Sequence, residues 1–276
     1  MQWDKIEEFQ GSLLQHGRNN DRIYLMKLGE GDTSALLDRL EELRSRENYS
    51  KLFAKVPSRR AACFLASGWG LEALVPGFYA GREDALFLCK YFDPRRREPE
   101  VGYLQELCRM HGQVEVREPK KLPESLRIAP ASETDVEAMA QLYRQVFERY
   151  PFPIHDPDYL SRTMVEEVDY YAVWEGDRLV GLSSAEKDGE NQNVEMTDFA
   201  VHPDYRGYGL GQILLEHMDR EMAGKGIKTA YTIARLRSKG MNATFLRAGY
   251  TYSGTLFRNT NISDGLESMN VYYKTL

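Results

Sequence analysis

The stretch that most constrains this chain is Arg206-Gly207-Tyr208-Gly209-Leu210-Gly211. It joins a strand-like run over residues 194–201 to a helical run over about 212–223, in which Ile213, Leu214, Met218 and Met222 share one face. Glycines at alternate positions let the backbone turn sharply and approach a ligand with no Cβ in the way. Successive N–H groups at the helix start then point into one space, where the helix dipole favours an anion such as phosphate or pyrophosphate. No Gly-Lys-Ser/Thr follows, so this is not a nucleotide P-loop. The spacing is GxGxG rather than GxGxxG and lies late in the chain, which argues against a dinucleotide fold. A purely structural turn is the alternative for the bare motif.

Prolines 119, 123 and 130 with Lys120 and Lys121 read as a linker, and a boundary near Leu122 divides the chain into residues 1–122 and 123–276. After it, the patterning predicts a strand over 126–129 and a helix through Val136–Phe147, capped by Ser132 with Asp135. A short helix over 159–167 and a hairpin over 170–185 follow. Beyond the turn come a strand over 229–234, a helix over 241–248, and strands over 250–256 and 269–273. The first part echoes the last. Ala62-Cys63-Phe64-Leu65-Ala66-Ser67-Gly68-Trp69 parallels Ala243-Thr244-Phe245-Leu246-Arg247-Ala248-Gly249-Tyr250, and Leu36–Leu40 parallels Leu214–Met218 at nearly the same offset. Either two amphipathic segments agree by chance, or a half-domain is duplicated. The glycine turn has no counterpart in the first copy, where Lys27–Ser34 stands in its place, so no ligand chemistry is expected there.

Composition narrows the class. Of 276 residues, 36 are Lys or Arg and 42 Asp or Glu, for a net charge of −6. That balance disfavours nucleic acid as partner and suits a cationic small molecule. Three cysteines without a CxxC pair indicate neither a disulfide framework nor a zinc site, and the five histidines show no metal-ligand spacing, so no catalytic metal is expected. No leader peptide or spanning apolar run is apparent, and the expectation is a soluble cytoplasmic protein with no membrane partner.

The R-G-x-G-x-G turn after Ala200-Val201-His202-Pro203, with Gly249-Tyr250 closing a helix about forty residues on, resembles motifs A and B of the Gcn5-related N-acetyltransferase (GNAT) superfamily. The resemblance covers residues 126–276. It implies an α/β (α+β) fold with a mixed, largely antiparallel sheet, here preceded by a smaller α/β domain resembling a degenerate half of the same fold. It implies acetyl-CoA as co-substrate, with its pyrophosphate on Arg206, Gly207, Tyr208, Gly209, Leu210 and Gly211. Its pantetheine arm would lie along Phe199, Ala200 and Val201, where the strand splays at a bulge from residues 229–234. Asn242 and Phe245 are further cofactor-binding candidates. Longer segments resemble one family, the β-lysine N-acetyltransferases, over essentially the whole chain. They include Asn20-Asp21-Arg22-Ile23-Tyr24-Leu25-Met26-Lys27, Phe53-Ala54-Lys55-Val56-Pro57, Gly240-Met241-Asn242 and Glu267-Ser268-Met269-Asn270-Val271-Tyr272-Tyr273-Lys274. That family acetylates the ε-amine of β-lysine, supplied by a lysine 2,3-aminomutase, to give a compatible solute.

An amine attacks a thioester only when neutral, and a lysine-type ammonium has a pKa of about 10.4. The site must therefore take a proton and stabilise an oxyanion. Glu195, six residues before Val201, is the candidate base; a solvated strand residue is the bland alternative. Asp198 falls on the other strand face by period two, and is a candidate for a substrate ammonium or simply faces solvent. Many superfamily members carry a tyrosine four residues before the motif-B glycine as general acid, and here that position is Phe245. Tyr272 is the preferred substitute, with Tyr252 and Tyr231 as others. Asn259, Asn261, Glu267 and Asn270 are acceptor-binding candidates, although asparagine is also a standard turn residue. Arg95-Arg96-Arg97 reads as a solvated loop. Rival readings keep the chemistry with lysine, ornithine, a polyamine or a protein lysine as acceptor, or take the chain as a non-catalytic acyl-CoA-binding regulatory module. For the N-terminal part, covering the acceptor pocket, forming a homodimer and stabilising the fold all stay open.

Overall fold

The computed structural model describes residues 3–166, 168–263 and 265–276. The first part runs β1 (Lys5–Phe9), β2 (Ser12–Gly17), β3 (Arg22–Lys27), α1 (Thr33–Glu47), β4 (Lys51–Pro57), α2 (Ala61–Ala66), β5 (Gly70–Tyr79), β6 (Glu83–Tyr91) and α3 (Val101–Gln113). The second runs β7 (Leu126–Pro130), α4 (Val136–Val146), α5 (Pro157–Val165), β8 (Val168–Glu175), β9 (Arg178–Asp188) and β10 (Asn193–Val201). It continues through α6 (Leu210–Gly224), β11 (Thr229–Arg235), α7 (Lys239–Arg247), β12 (Thr251–Ile262) and β13 (Gly265–Thr275). Local chemistry sets the ends. The Ser132 N–H donates to Asp135 Oδ2 at 2.8 Å, completing a capping box one turn before α4. α1 buries Leu36, Leu37, Leu40 and Leu43 on one face and stops at Asn48, in left-handed geometry with φ 54°.

The strands form two mixed sheets, ordered β1-β2-β3-β4-β6-β5 and β12-β13-β11-β10-β9-β8-β7. Leaving out β7 and reading from the other end, the second order repeats the first, strand for strand. The one parallel pair in each sheet is β3/β4 or β10/β11, and the crossover between the pair is α1 or α6. The echo in the sequence is thus an echo in topology. Gly68 and Gly249 both turn left-handed (φ 82° and 81°), and Trp69 and Tyr250 each donate a backbone N–H to the carbonyl of Phe64 and Phe245, at 3.2 and 3.0 Å. The copies part at the crossover helix. Asp32 caps α1 and accepts from the Ser34 N–H at 2.8 Å, so that N-terminus is filled by the chain's own carboxylate; α6 starts on Gly209.

The sheets pack face to face through an apolar layer that includes Tyr24, Phe53, Val75 and Phe87 from one and Tyr231, Leu256, Met269 and Val271 from the other. Each such side chain, fully buried, contributes about 1.5–3 kcal/mol. Backbones come close at one edge, where a Cβ on Gly254 would lie 1.9 Å from the Glu72 carbonyl oxygen. Arg96 departs from the solvated loop expected for its run. It is 3% exposed and donates to the carbonyls of Asn20 (2.9 Å) and Arg258 (2.8 Å), tying the sheets together. α3, although it precedes Leu122, buries Leu107 in the core of the second sheet with Leu214 and Phe245.

Candidate active site

Everything in the site follows from one irregularity in β10. Its pairing with β9 shifts between Thr197 and Ala200, so Asp198 and Phe199 together oppose Ser183. This is a β-bulge, with Asp198 at φ 55°. The parallel ladder with β11 runs Asn193↔Thr229, Val194↔Ala230, Glu195↔Tyr231 and ends there, so the two strands diverge beyond Glu195. A cavity opens on each side of the divergence.

The turn cavity, of about 480 Å³, is lined by Phe199, Val201, Arg206, Gly207, Gly209, Leu210 and Gly211, by Arg235 of β11, and by Met241, Thr244 and Phe245 of α7. Gly207 and Gly209 adopt φ 89° and 81°, a region that costs other residues strain. Nothing lies within 4 Å of a Cβ built on Gly207. Among the described residues, no N–H of residues 207–211 has a partner within the chain, whereas Arg206 donates to Pro203. Unmatched donors at a helix N-terminus are the fittings of an anion site. Lys120, which the sequence reading passed over as linker, donates its Nζ to the Gly207 carbonyl at 2.9 Å and adds positive charge beside the turn.

The inter-sheet cavity, of about 390 Å³, lies between the two apolar faces. From the second sheet come Glu186, Glu195, Thr197, Asp198 and Tyr231; from the first come Arg22, Tyr24, Phe53 and Lys55. The cavities share Tyr150, Thr197, Asp198, Ile233, Ile262 and Met269, and so meet at the divergence of β10 and β11. Asp198 is not on the face opposite Glu195, as strict alternation predicts: the bulge turns it to the same cavity. Ser184 donates to its Oδ2 at 2.6 Å, and the Tyr150 hydroxyl donates to its Oδ1. Burial pushes the Glu195 carboxyl above its ordinary range, and the charge of Lys55 and a hydrogen bond from Tyr231 moderate the shift. Asp198 is likewise raised by burial, against the hydrogen bonds from Ser184 and Tyr150. Glu186 is pushed up by its enclosure and then by the charges of Glu195 and Asp198, although its face is open to the cavity and water there moderates the effect. Burial alone would lower Lys55, but Tyr231, Tyr24 and Glu195 outweigh it and hold the ammonium charged.

Several expected site residues belong elsewhere. Asn242 is fully buried and lines neither cavity. Its amide donates to the carbonyls of Arg235 (3.0 Å), Leu236 (3.2 Å) and Ser238 (2.8 Å), and its oxygen accepts from Asn270 (2.7 Å) and Tyr272 (2.8 Å). Asn270 and Tyr272 alternate with Met269 and Val271 along β13 and so face α7, away from the inter-sheet cavity. Tyr272 stacks on Phe245 with ring centroids 5.8 Å apart. It is a core residue, not a general acid. Glu267, 1% exposed, grips Arg235 in a two-pronged pair at 2.9 and 2.6 Å and thereby aims that guanidinium at the turn cavity. Asn261 donates to the Asn19 carbonyl at 2.8 Å, fastening β12 to the first sheet. Only Asn259 of that group reaches the inter-sheet cavity. In the turn, Tyr208 points outward, while Ala200 is in the core and offers backbone alone.

Similarity to known proteins identifies the family. The family model for the acetyltransferase (GNAT) family matches residues 136–250. The chain is 38% identical to a β-lysine N(6)-acetyltransferase of Methanococcus maripaludis over 98% of both chains. It is 31% identical to the N-acetyltransferase YodP of Bacillus subtilis over 96% of both. A β-lysine N(6)-acetyltransferase of Methanosarcina mazei is 38% identical over 58% of this chain and 59% of its own. With a matched glycine turn, a splayed strand pair and relatives alike over nearly its whole length, this chain belongs to the acetyltransferase (GNAT) family and is an N-acetyltransferase.

Proposed function

We propose that this enzyme transfers the acetyl group of acetyl-CoA to the ε-amine of β-lysine. The observation that carries the reading is the meeting of the two cavities at the divergence of β10 and β11, which opens a turn built for an anion onto a cavity lined with carboxylates. The free N–H groups of residues 207–211, the α6 dipole and Arg206 fit a diphosphate, and Glu267 holds Arg235 toward the same cavity. Phe199 and Val201 border the gap along which a pantetheine arm would lie. Acetyl-CoA supplies an activated thioester carbonyl.

The chain's own groups manage the acceptor. Glu195 sits at the last paired rung, half-buried, and its raised proton affinity suits it to take a proton from an ammonium directly or through water. Asp198 and Glu186 supply negative charge for the acceptor's ammonium groups. With Phe245 at the usual acid position and Tyr272 in the core, no side chain here is assigned to protonate the departing thiolate, which is itself a fair leaving group. The same proposal carries the setting that the resemblance implies, a cytoplasmic enzyme forming a compatible solute from β-lysine supplied by an aminomutase. Its test is thiol release from acetyl-CoA with a panel of amines. Turnover of β-lysine well above lysine, ornithine and spermidine is expected; spermidine or ornithine as the best acceptor would overturn it.

A further inference from the structure

We infer that Arg22 and Lys55, both on the first sheet, bind the carboxylate of an amino-acid acceptor, so that the first copy of the repeat selects the acceptor while the second holds the donor. The inference rests on the reading that the acceptor is β-lysine. Arg22, Tyr24 and Met26 alternate along β3, and Phe53, Lys55 and Pro57 along β4; all six line the inter-sheet cavity. None lines the turn cavity, so these strands form the wall of the inter-sheet cavity that faces the second sheet.

Two features mark this wall as built for an anion. Arg22 is 5% exposed, its Nη1 donates to the Asn259 carbonyl and to Thr260 Oγ1 (3.4 Å), and its Nε has no partner among the described residues. A charged donor buried without an acceptor is costly unless something supplies one. Among the described residues Lys55, with three donors, makes a single hydrogen bond, to the Tyr231 hydroxyl at 3.0 Å, and has no carboxylate within 4.0 Å. Instead it is surrounded by the rings of Tyr24, Phe78 and Tyr231, at 5.7, 5.8 and 5.3 Å.

The repeat shows how the two walls differ. Tyr24↔Phe53 is the rung equivalent to Glu195↔Tyr231, and Lys55 stands where the second copy has Ile233. At the paired rungs one copy thus presents Glu195, with Asp198 beyond it, where the other presents Arg22 and Lys55. A cavity of two signs matches a molecule with an ammonium at one end and a carboxylate at the other. Arg22 and Lys55 would repel a polyamine, which carries positive charge at both ends.

The test compares β-lysine with 1,4-diaminopentane, which is β-lysine without its carboxylate, in the full-length enzyme at saturating acetyl-CoA. Wild type is expected to favour β-lysine by about 100-fold in kcat/KM, and Lys55→Met to shrink that preference by about 30-fold, mainly through KM, as loss of one buried charge contact does. Lys55→Arg is expected to retain most of the preference. Removing Lys55 also alters the proton affinity of Glu195, but that change acts on both acceptors and cancels in the ratio. Equal kcat/KM for the two acceptors in wild type, or an unchanged ratio in Lys55→Met, overturns this inference while leaving β-lysine a substrate. No turnover of β-lysine by wild type, with turnover of other amines, overturns the proposed acceptor and this inference with it.

Discussion

Replacing Glu195 with glutamine keeps the shape of the side chain and removes its capacity to take a proton. A lysine-type amine has a pKa of about 10.4, so at pH 7 only about one molecule in 2,500 is neutral. Wild type escapes this restriction if an ionised Glu195 meets the ammonium form. Its kcat/KM should then rise as pH passes through the raised Glu195 pKa, and stay level until the free amine titrates. The variant depends on amine that is already neutral, and its rate should climb about tenfold per pH unit, or about 100-fold between pH 7 and 9. At pH 7 the loss should be about 10²–10³-fold, the usual worth of a positioned base. By pH 9 the gap should close to within about tenfold. Thiol release from acetyl-CoA at varied β-lysine concentration reads both profiles. A gap that stays constant from pH 7 to 9, or a variant within threefold of wild type at pH 7, would remove Glu195 from the role of base.

Other substitutions probe the remaining features. Gly207→Ala and Gly209→Ala each force a left-handed backbone on a residue with a Cβ, at about 1–2 kcal/mol, and should raise the KM for acetyl-CoA about tenfold or more; an unchanged KM would detach the turn from the donor. Asn242→Ala removes five hydrogen bonds from the core and should lower stability by about 2–4 kcal/mol in denaturant melts, while calorimetric coenzyme A affinity of the folded protein stays close to wild type. The reverse pattern would restore Asn242 to the cofactor site. Gly254→Ala drives a Cβ into the Glu72 carbonyl, and should cost more than about 2 kcal/mol; a neutral melt would mean that the sheets separate there at no cost. Glu195 and Asp198 are both held above their ordinary pKa values, so the fold favours their protonated forms. The stability they contribute is complete below about pH 4 and is lost as pH rises through the raised values. Glu195→Gln should therefore melt like wild type at pH 4 and at a higher temperature than wild type at pH 8, and equal melts at both would contradict the sign.

The parts of this molecule legible in the sequence were those governed by local rules. The turn around Gly207 and Gly209, the Ser132 cap and the alternation of β13 each follow from a few neighbouring residues. The echo between Phe64-Gly68-Trp69 and Phe245-Gly249-Tyr250 was visible because both copies close a helix with the same left-handed glycine. What stayed hidden depends on partners distant in the chain. The resemblance implies a bulge in this strand, but not that it falls at Asp198 and turns that residue to the face of Glu195, because its own neighbours do not announce the position. Polar residues such as Asn242, Glu267 and Asn270 look alike in sequence whether they meet a ligand or each other; only the pairing of β13 with β11 and its packing on α7 decides. Lys55 and Arg22 could be quoted as part of a resemblance, but nothing in strands β3 and β4 reveals that they face Glu195 across a second sheet.

The six-stranded sheet furnishes one wall of the inter-sheet cavity and none of the lining of the turn cavity. On the proposed reading, the coenzyme is gripped by one stretch of the polypeptide alone, while the acceptor meets that stretch and a second one. Drift along β3 and β4 would then retune which metabolite is modified without disturbing the machinery that delivers the acyl group, and a fragment trimmed to residues 136–250 would discard about half of the residues lining the inter-sheet cavity.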